Sequence, residues 1–99
     1  MVKVMIEYKV KRGADLQPML LKLRCNAVTF PGFINAENLQ SVTDSYTFVI
    51  IQAWEKSEAW WAWETSKVRQ DCLREAEGIL LETPKSTIYN VMPTVSWQG

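Results

Sequence analysis

The chain has 99 residues, 47% of them hydrophobic and 22% charged, and its eleven basic and eleven acidic side chains cancel. A length near the small end of what folds alone gives one domain and makes burial against a partner subunit an expectation. Balanced charge without a basic block or stripe excludes nucleic acid and anionic membrane as the main partners, leaving a small, largely neutral ligand.

From Val2 to Val10 the even positions are Val, Val, Ile, Tyr and Val, while Lys3, Met5, Glu7 and Lys9 take the odd ones; this period of two predicts a first strand. No basic segment followed by an apolar one opens the chain and no apolar run is long enough to span a bilayer, so a soluble, cytoplasmic protein is expected. Gly13 supplies a turn and Asp15 an N-cap, after which Leu16, Met19, Leu20, Leu23, Ala27 and Phe30 recur at helical spacing. Pro18 falls in the first turn, where its missing N–H does no harm. Pro31-Gly32 ends the helix, and residues 33–39 read as a second, less regular strand.

Thr43-Asp44-Ser45 turns the chain into residues 46–54, the strongest strand signal. Phe48, Ile50 and Trp54 point one way and Val49, Ile51 and Ala53 the other. Two apolar faces need two covers, and helices in a small domain usually supply one, so the second is expected from another copy of the same sheet. Ser57 is placed to cap a helix carrying Trp60, Trp61 and Trp63, and Val68, Cys72, Ala76 and Ile79 continue an apolar stripe across a break near Thr65-Ser66. Pro84 closes the helical region, residues 86–92 form a final strand, and 94–99 are left as a tail or arm beyond a domain of residues 1–93. The order β-α-β-β-α-β predicts an α+β, ferredoxin-like fold with one antiparallel sheet and helices on one face. Cys25 and Cys72 lie far apart without metal-ligand neighbours, so two reduced, buried thiols are expected.

Several of these segments together resemble the antibiotic biosynthesis monooxygenase family. They are the opening strand into Gly13, Leu23-Arg24, Pro31-Gly32-Phe33-Ile34, then Glu37 and Leu39, and the strand ending Ala53-Trp54 followed by Glu55-Lys56-Ser57-Glu58-Ala59-Trp60, with Trp63 and Ser66. The likeness covers residues 2 to about 92. It implies ferredoxin-like subunits that pair sheet to sheet as a dimeric α+β barrel, hence a homodimer. It also implies a cofactor-independent monooxygenase acting on a small aromatic or quinol-like compound. The alternative is a non-catalytic homodimer of the same fold that binds a small hydrophobic molecule or serves a partner protein.

The resemblance assigns catalytic roles to Trp63 and Arg24 and substrate contacts to Trp54, Trp60, Glu37 and Arg69. Beside each stands a plainer reading. On a helix Trp60 and Trp63 lie about 60° apart, whereas Trp61 is turned about 100° from Trp60, so the three rings cannot share one environment. Trp63 is the pocket wall or ordinary core, Trp54 and Trp60 are mainly core, and Trp61 sits at a rim or subunit contact. Arg24, about 40° beyond the apolar stripe of its helix, either meets a bound phenolate or pairs with Glu37. Arg69 is expected in solvent or at an interface, and Glu7 paired or solvated.

The family's chemistries are only partly represented. Haem-degrading relatives hold iron through a histidine on the helix after the tryptophan; that stretch is Lys67 to Leu73 here, and the chain has no histidine, which excludes such ligation. Quinone-forming relatives use a substrate whose own phenolate reduces dioxygen, helped by an asparagine one turn before the tryptophan, a position held here by Ala59. The family's first-strand amide is replaced by Ile6 or Glu7. No phosphate loop, nucleophile elbow, dinucleotide fingerprint or metal-spaced Cys/His set occurs, so no cofactor is expected.

Overall fold

Residues 1–93 are described by the computed structural model. Alternation produces β1 (Val2–Lys9), with Val2, Val4, Ile6 and Tyr8 buried and Lys3, Met5 and Lys9 on the other face. Helix α1 (Gln17–Ala27) follows, its first turn tied by the Asp15 carboxylate, which accepts the Gln17 N–H at 3.0 Å; the N-cap residue by geometry is Leu16, one position later than expected. Leu16, Met19, Leu20, Leu23 and Ala27 bury its apolar stripe. Gly32, at φ +91°, turns the chain into β2 (Phe33–Gln40), and β3 (Thr47–Trp54) returns beside it.

The second helical region breaks where Thr65-Ser66 suggested, into α2 (Ser57–Glu64) and α3 (Lys67–Glu75). The cap lies at that break and not at Ser57. Lys56 is the N-cap of α2 and makes no side-chain cap bond, whereas the Ser66 hydroxyl accepts the Arg69 N–H at 3.2 Å and donates to the Trp63 carbonyl at 2.7 Å. One hydroxyl thus ends one helix and starts the next. The last strand is β4 (Lys85–Asn90), and the expected tail at 94–99 lies outside the described residues.

The four strands run in the order β2-β3-β1-β4, all antiparallel, which is the ferredoxin-like arrangement. The helices cover the face carrying Val4, Ile6, Tyr8, Ile50 and Trp54, and α1 packs on α3. Trp54, Trp60 and Trp63 are 0–1% exposed, each contributing on the order of 4–6 kcal/mol as an upper bound. Trp61, turned away from them, is 50% exposed. The opposite face of the sheet is open and partly apolar, with Val49 and Ile51 half-buried beside the exposed Met5, Leu39 and Tyr89. Of the two cysteines, only Cys72 is buried; Cys25 stands on the solvent side of α1, contrary to expectation. No helix among the described residues is long and apolar enough to cross a membrane.

Candidate functional site

A groove of about 650 Å³ runs between α1 and the β2–β3 hairpin, walled by Pro18, Leu20, Leu21 and Phe48 and edged by the polar groups of Asp15, Arg24, Asn38 and Gln40. Leu20, Arg24 and Asn38 also border a second, much smaller recess that continues inward to Tyr8, Ile50 and Gln52. At about 10 Å³ the recess has room for roughly one water-sized group. The groove is apolar enough for an aromatic guest, and the recess gives it a polar end.

Helix α1 positions Arg24 in the turn after buried Leu20 and beside Leu23, so that this exposed arginine borders both groove and recess. On β3, Phe48, Ile50, Gln52 and Trp54 form the inward row, so Gln52 is a single amide among apolar rings. It is 5% exposed, and its Oε1 accepts the Trp54 Nε1–H at 3.0 Å. Tyr8 comes from the neighbouring strand and is 2% exposed. Burial pushes its phenol up to about 12, against the opposing charge and hydrogen bonding of Arg69.

Arg69 is the largest departure from expectation. It is 6% exposed, neither solvated nor left at a surface, and no carboxylate forms an ion pair with it among the described residues. Its guanidinium lies 5.4 Å from the centre of the Trp60 ring, and Nη1 donates to the Glu64 carbonyl at 3.5 Å. A desolvated cation on an indole face gains about 2 kcal/mol, and the phenol oxygen of Tyr8 gives it a further dipole.

The pairing of Arg24 with Glu37 does not form. Glu37 is opposite Ile51 on the open face of the sheet, whereas Arg24 stands over the helix-covered face with Asn38 and Ala36. A register shift between Phe33 and Asn35 is the cause: one extra residue reverses the facing of everything after it. The tryptophans lie behind the site. Trp63 packs edge-on against Phe30 with centroids 5.0 Å apart, and Trp54 meets Phe33 at 5.3 Å and Trp60 at 6.3 Å; neither groove nor recess is lined by an indole. Trp54 reaches the recess only through Gln52. Ala59, buried against Gly32, presents no polar group.

Sequence reasoning missed Tyr8, Asn38 and Gln52. Gln52 carried a signal: a lone amide on the inward row of the most apolar strand. Tyr8 looked like one more member of the β1 stripe. No group of three or more potential metal-ligating side chains comes together among the described residues.

The family model for antibiotic biosynthesis monooxygenase matches residues 1–75. The chain belongs to this family. Solved structures share its fold at low identity. A putative antibiotic biosynthesis monooxygenase from Nitrosomonas europaea is 18% identical, with a TM-score of 0.82 over 94% of this chain and 100% of that one. One from Deinococcus radiodurans is 14% identical, with a TM-score of 0.84 over the whole of both chains. SnoaB of Streptomyces nogalater, a cofactor-independent oxygenase, is 14% identical, with a TM-score of 0.81 over 95% of each. The sequence has no significant match among curated proteins. As in those monooxygenase-family structures, the helices lie on one side of a four-stranded antiparallel sheet.

Proposed function

We propose that this family member is a cofactor-independent monooxygenase that acts on a small aromatic or quinol-like compound bound in the groove between α1 and the β2–β3 hairpin. The observation that carries the reading is the position of Arg24, an exposed cation that borders both the apolar groove and the polar recess. An aromatic ring fits the wall formed by Leu20, Leu21 and Phe48, and Arg24 favours the phenolate form of a hydroxyl on that ring. A phenolate is the electron-rich form from which dioxygen can be reduced. Insertion of one oxygen atom and departure of the other as water take four electrons from the substrate, which is thereby converted from phenol to quinone with no other reductant. SnoaB, described as a cofactor-independent oxygenase, supports this reaction class.

The role proposed for Trp63 is indirect: with Phe30 it sets the packing under the second helical region, while Trp54 and Trp60 brace Gln52 and Arg69. Glu37 belongs to the open sheet face, and Arg69 acts from behind Tyr8. The same reading makes the working unit a homodimer closed through that open face, whose Met5, Val49, Ile51 and Tyr89 lack a cover in the single chain.

Incubation with polycyclic phenols under air and under nitrogen tests the reaction. Oxygen-dependent product that falls at least tenfold in Arg24→Ala is expected. Identical products with and without oxygen would remove the proposal.

A further inference from the structure

The polarity of the recess follows from what stands behind it. Gln52 is nearly fully buried, and its amide orientation is set by Trp54: an indole N–H can only donate, so the amide presents Oε1 to it. The Nε2 hydrogens therefore face away from Trp54 and find no acceptor among the described residues. Yet no fully buried side-chain nitrogen or oxygen there is left without a partner, so Nε2 is reached through the recess that Gln52 lines. Tyr8 follows the same logic. The polar side chain against its hydroxyl is Arg69, and a guanidinium offers five donors and no acceptor. Arg69 offers the phenol no acceptor, so the phenol hydrogen is not taken up on that side, and Tyr8 also lines the recess. Arg24, also a donor only, stands at the opening.

We propose that the recess is a hydrogen-bond donor pocket for one carbonyl or phenolate oxygen of the ligand, which receives from the Tyr8 hydroxyl and the Gln52 amide while the ring remains in the groove. The proposal rests on the groove being the ligand site and names the functional group that orients the ligand in it. The size of the recess agrees: about 10 Å³ admits one oxygen and no ring. A phenol with its pKa near 12 stays protonated at neutral pH and so remains a donor. Trp54 and Arg69 are then positioning residues, each standing behind a group whose hydrogens the ligand uses. An oxygen held at this end fixes which edge of the ring lies farther out, toward Phe48 and Leu21.

Binding of 1-tetralone and tetralin, two bicycles of nearly one shape with and without a ketone oxygen, tests the pocket apart from turnover. Calorimetry or tryptophan quenching on the full chain should give 1-tetralone about tenfold tighter binding, the fold-change of one well-made hydrogen bond. Tyr8→Phe and Gln52→Met should each lose most of that difference while leaving tetralin affinity unchanged, which also shows that the variants keep the groove. Equal affinity of the two probes for the unaltered chain would overturn the donor pocket and leave the groove assignment standing. A parallel loss of both probes in Tyr8→Phe would reduce Tyr8 to packing and overturn it as well. Failure of both probes to bind would remove the groove assignment together with the pocket. Oxygen-insensitive chemistry with the probe difference intact would remove the monooxygenase reading alone.

Discussion

The Trp54 indole donates to the Gln52 amide at 3.0 Å, two residues apart on one strand and on the same face, because alternate residues of a strand stand side by side. The bond satisfies an indole N–H that is 0% exposed and at the same time orients the amide at the inner end of the groove. Stability and ligand polarity therefore meet in one pair.

Gln52→Leu leaves the Trp54 N–H buried without an acceptor. The expected loss is about 1–3 kcal/mol, read as a lower urea midpoint with an unchanged slope. An unchanged midpoint would mean that the indole finds another acceptor.

Tyr8 makes the fold sensitive to alkali. Its phenol has a folded-state pKa raised to about 12 from an ordinary value near 10. Below pH ~10 both folded and unfolded chains hold the proton, and the stabilisation is fully present. Between pH ~10 and ~12 only the folded chain holds it, so stability falls by up to about 3 kcal/mol as pH rises. Urea unfolding from pH 9 to 12 should show this decline, and Tyr8→Phe, whose ring has no proton to lose, should decline less by that amount. Ultraviolet titration should show one of the three tyrosines ionising late.

Gly32 combines a positive φ with crowding. A Cβ built there lies 2.6 Å from the Ala59 Cβ, so Gly32→Ala must both strain the backbone and push α2 from the strand. A loss of about 1–3 kcal/mol is expected. Adding Ala59→Gly relieves the clash but not the strain, and thermal melts of the double variant should recover part of the loss.

Ile51→Lys tests the proposed pairing of sheets. Ile51 is half-buried at the centre of the open face, between Met5 on β1 and Glu37 on β2. A lysine there remains solvated in a single chain but cannot be buried between two sheets without a large penalty. Sedimentation should give a dimer for the unaltered chain and a folded monomer for the variant. A monomer in both cases would end the sheet-pairing proposal.

Ser66→Ala removes the cap of α3 and the bond that fixes its junction with α2. A cost of about 1 kcal/mol is expected from denaturant unfolding. If Arg69 shifts with the junction, the late-titrating tyrosine should shift too, since Arg69 touches Tyr8.

Local patterns in the sequence determined the succession of elements, the inward stripe of β1, the two apolar faces of β3, the stop at Pro31-Gly32 and the separation of Trp61 from the other indoles. These depend on periods of 2 and 3.6 and on residues with restricted backbones, all of which act over a few positions. The family likeness was legible for the same reason, being a succession of such local signals. Only the tertiary structure decided what the side chains meet. Counting in twos from Phe33 puts Glu37 on the helix side near Arg24, but the register shift at Phe33/Asn35 sends it to the opposite face and gives Asn38 its place. Arg69 has the sequence signature of a surface arginine and becomes buried because Trp60 and Tyr8, from two distant segments, close around it. The donor character of the recess depends on Arg69 standing behind Tyr8 while Trp54 stands behind Gln52. Hydrogen-bond direction across strands and helices is a property of the assembled neighbours, and no local period encodes it.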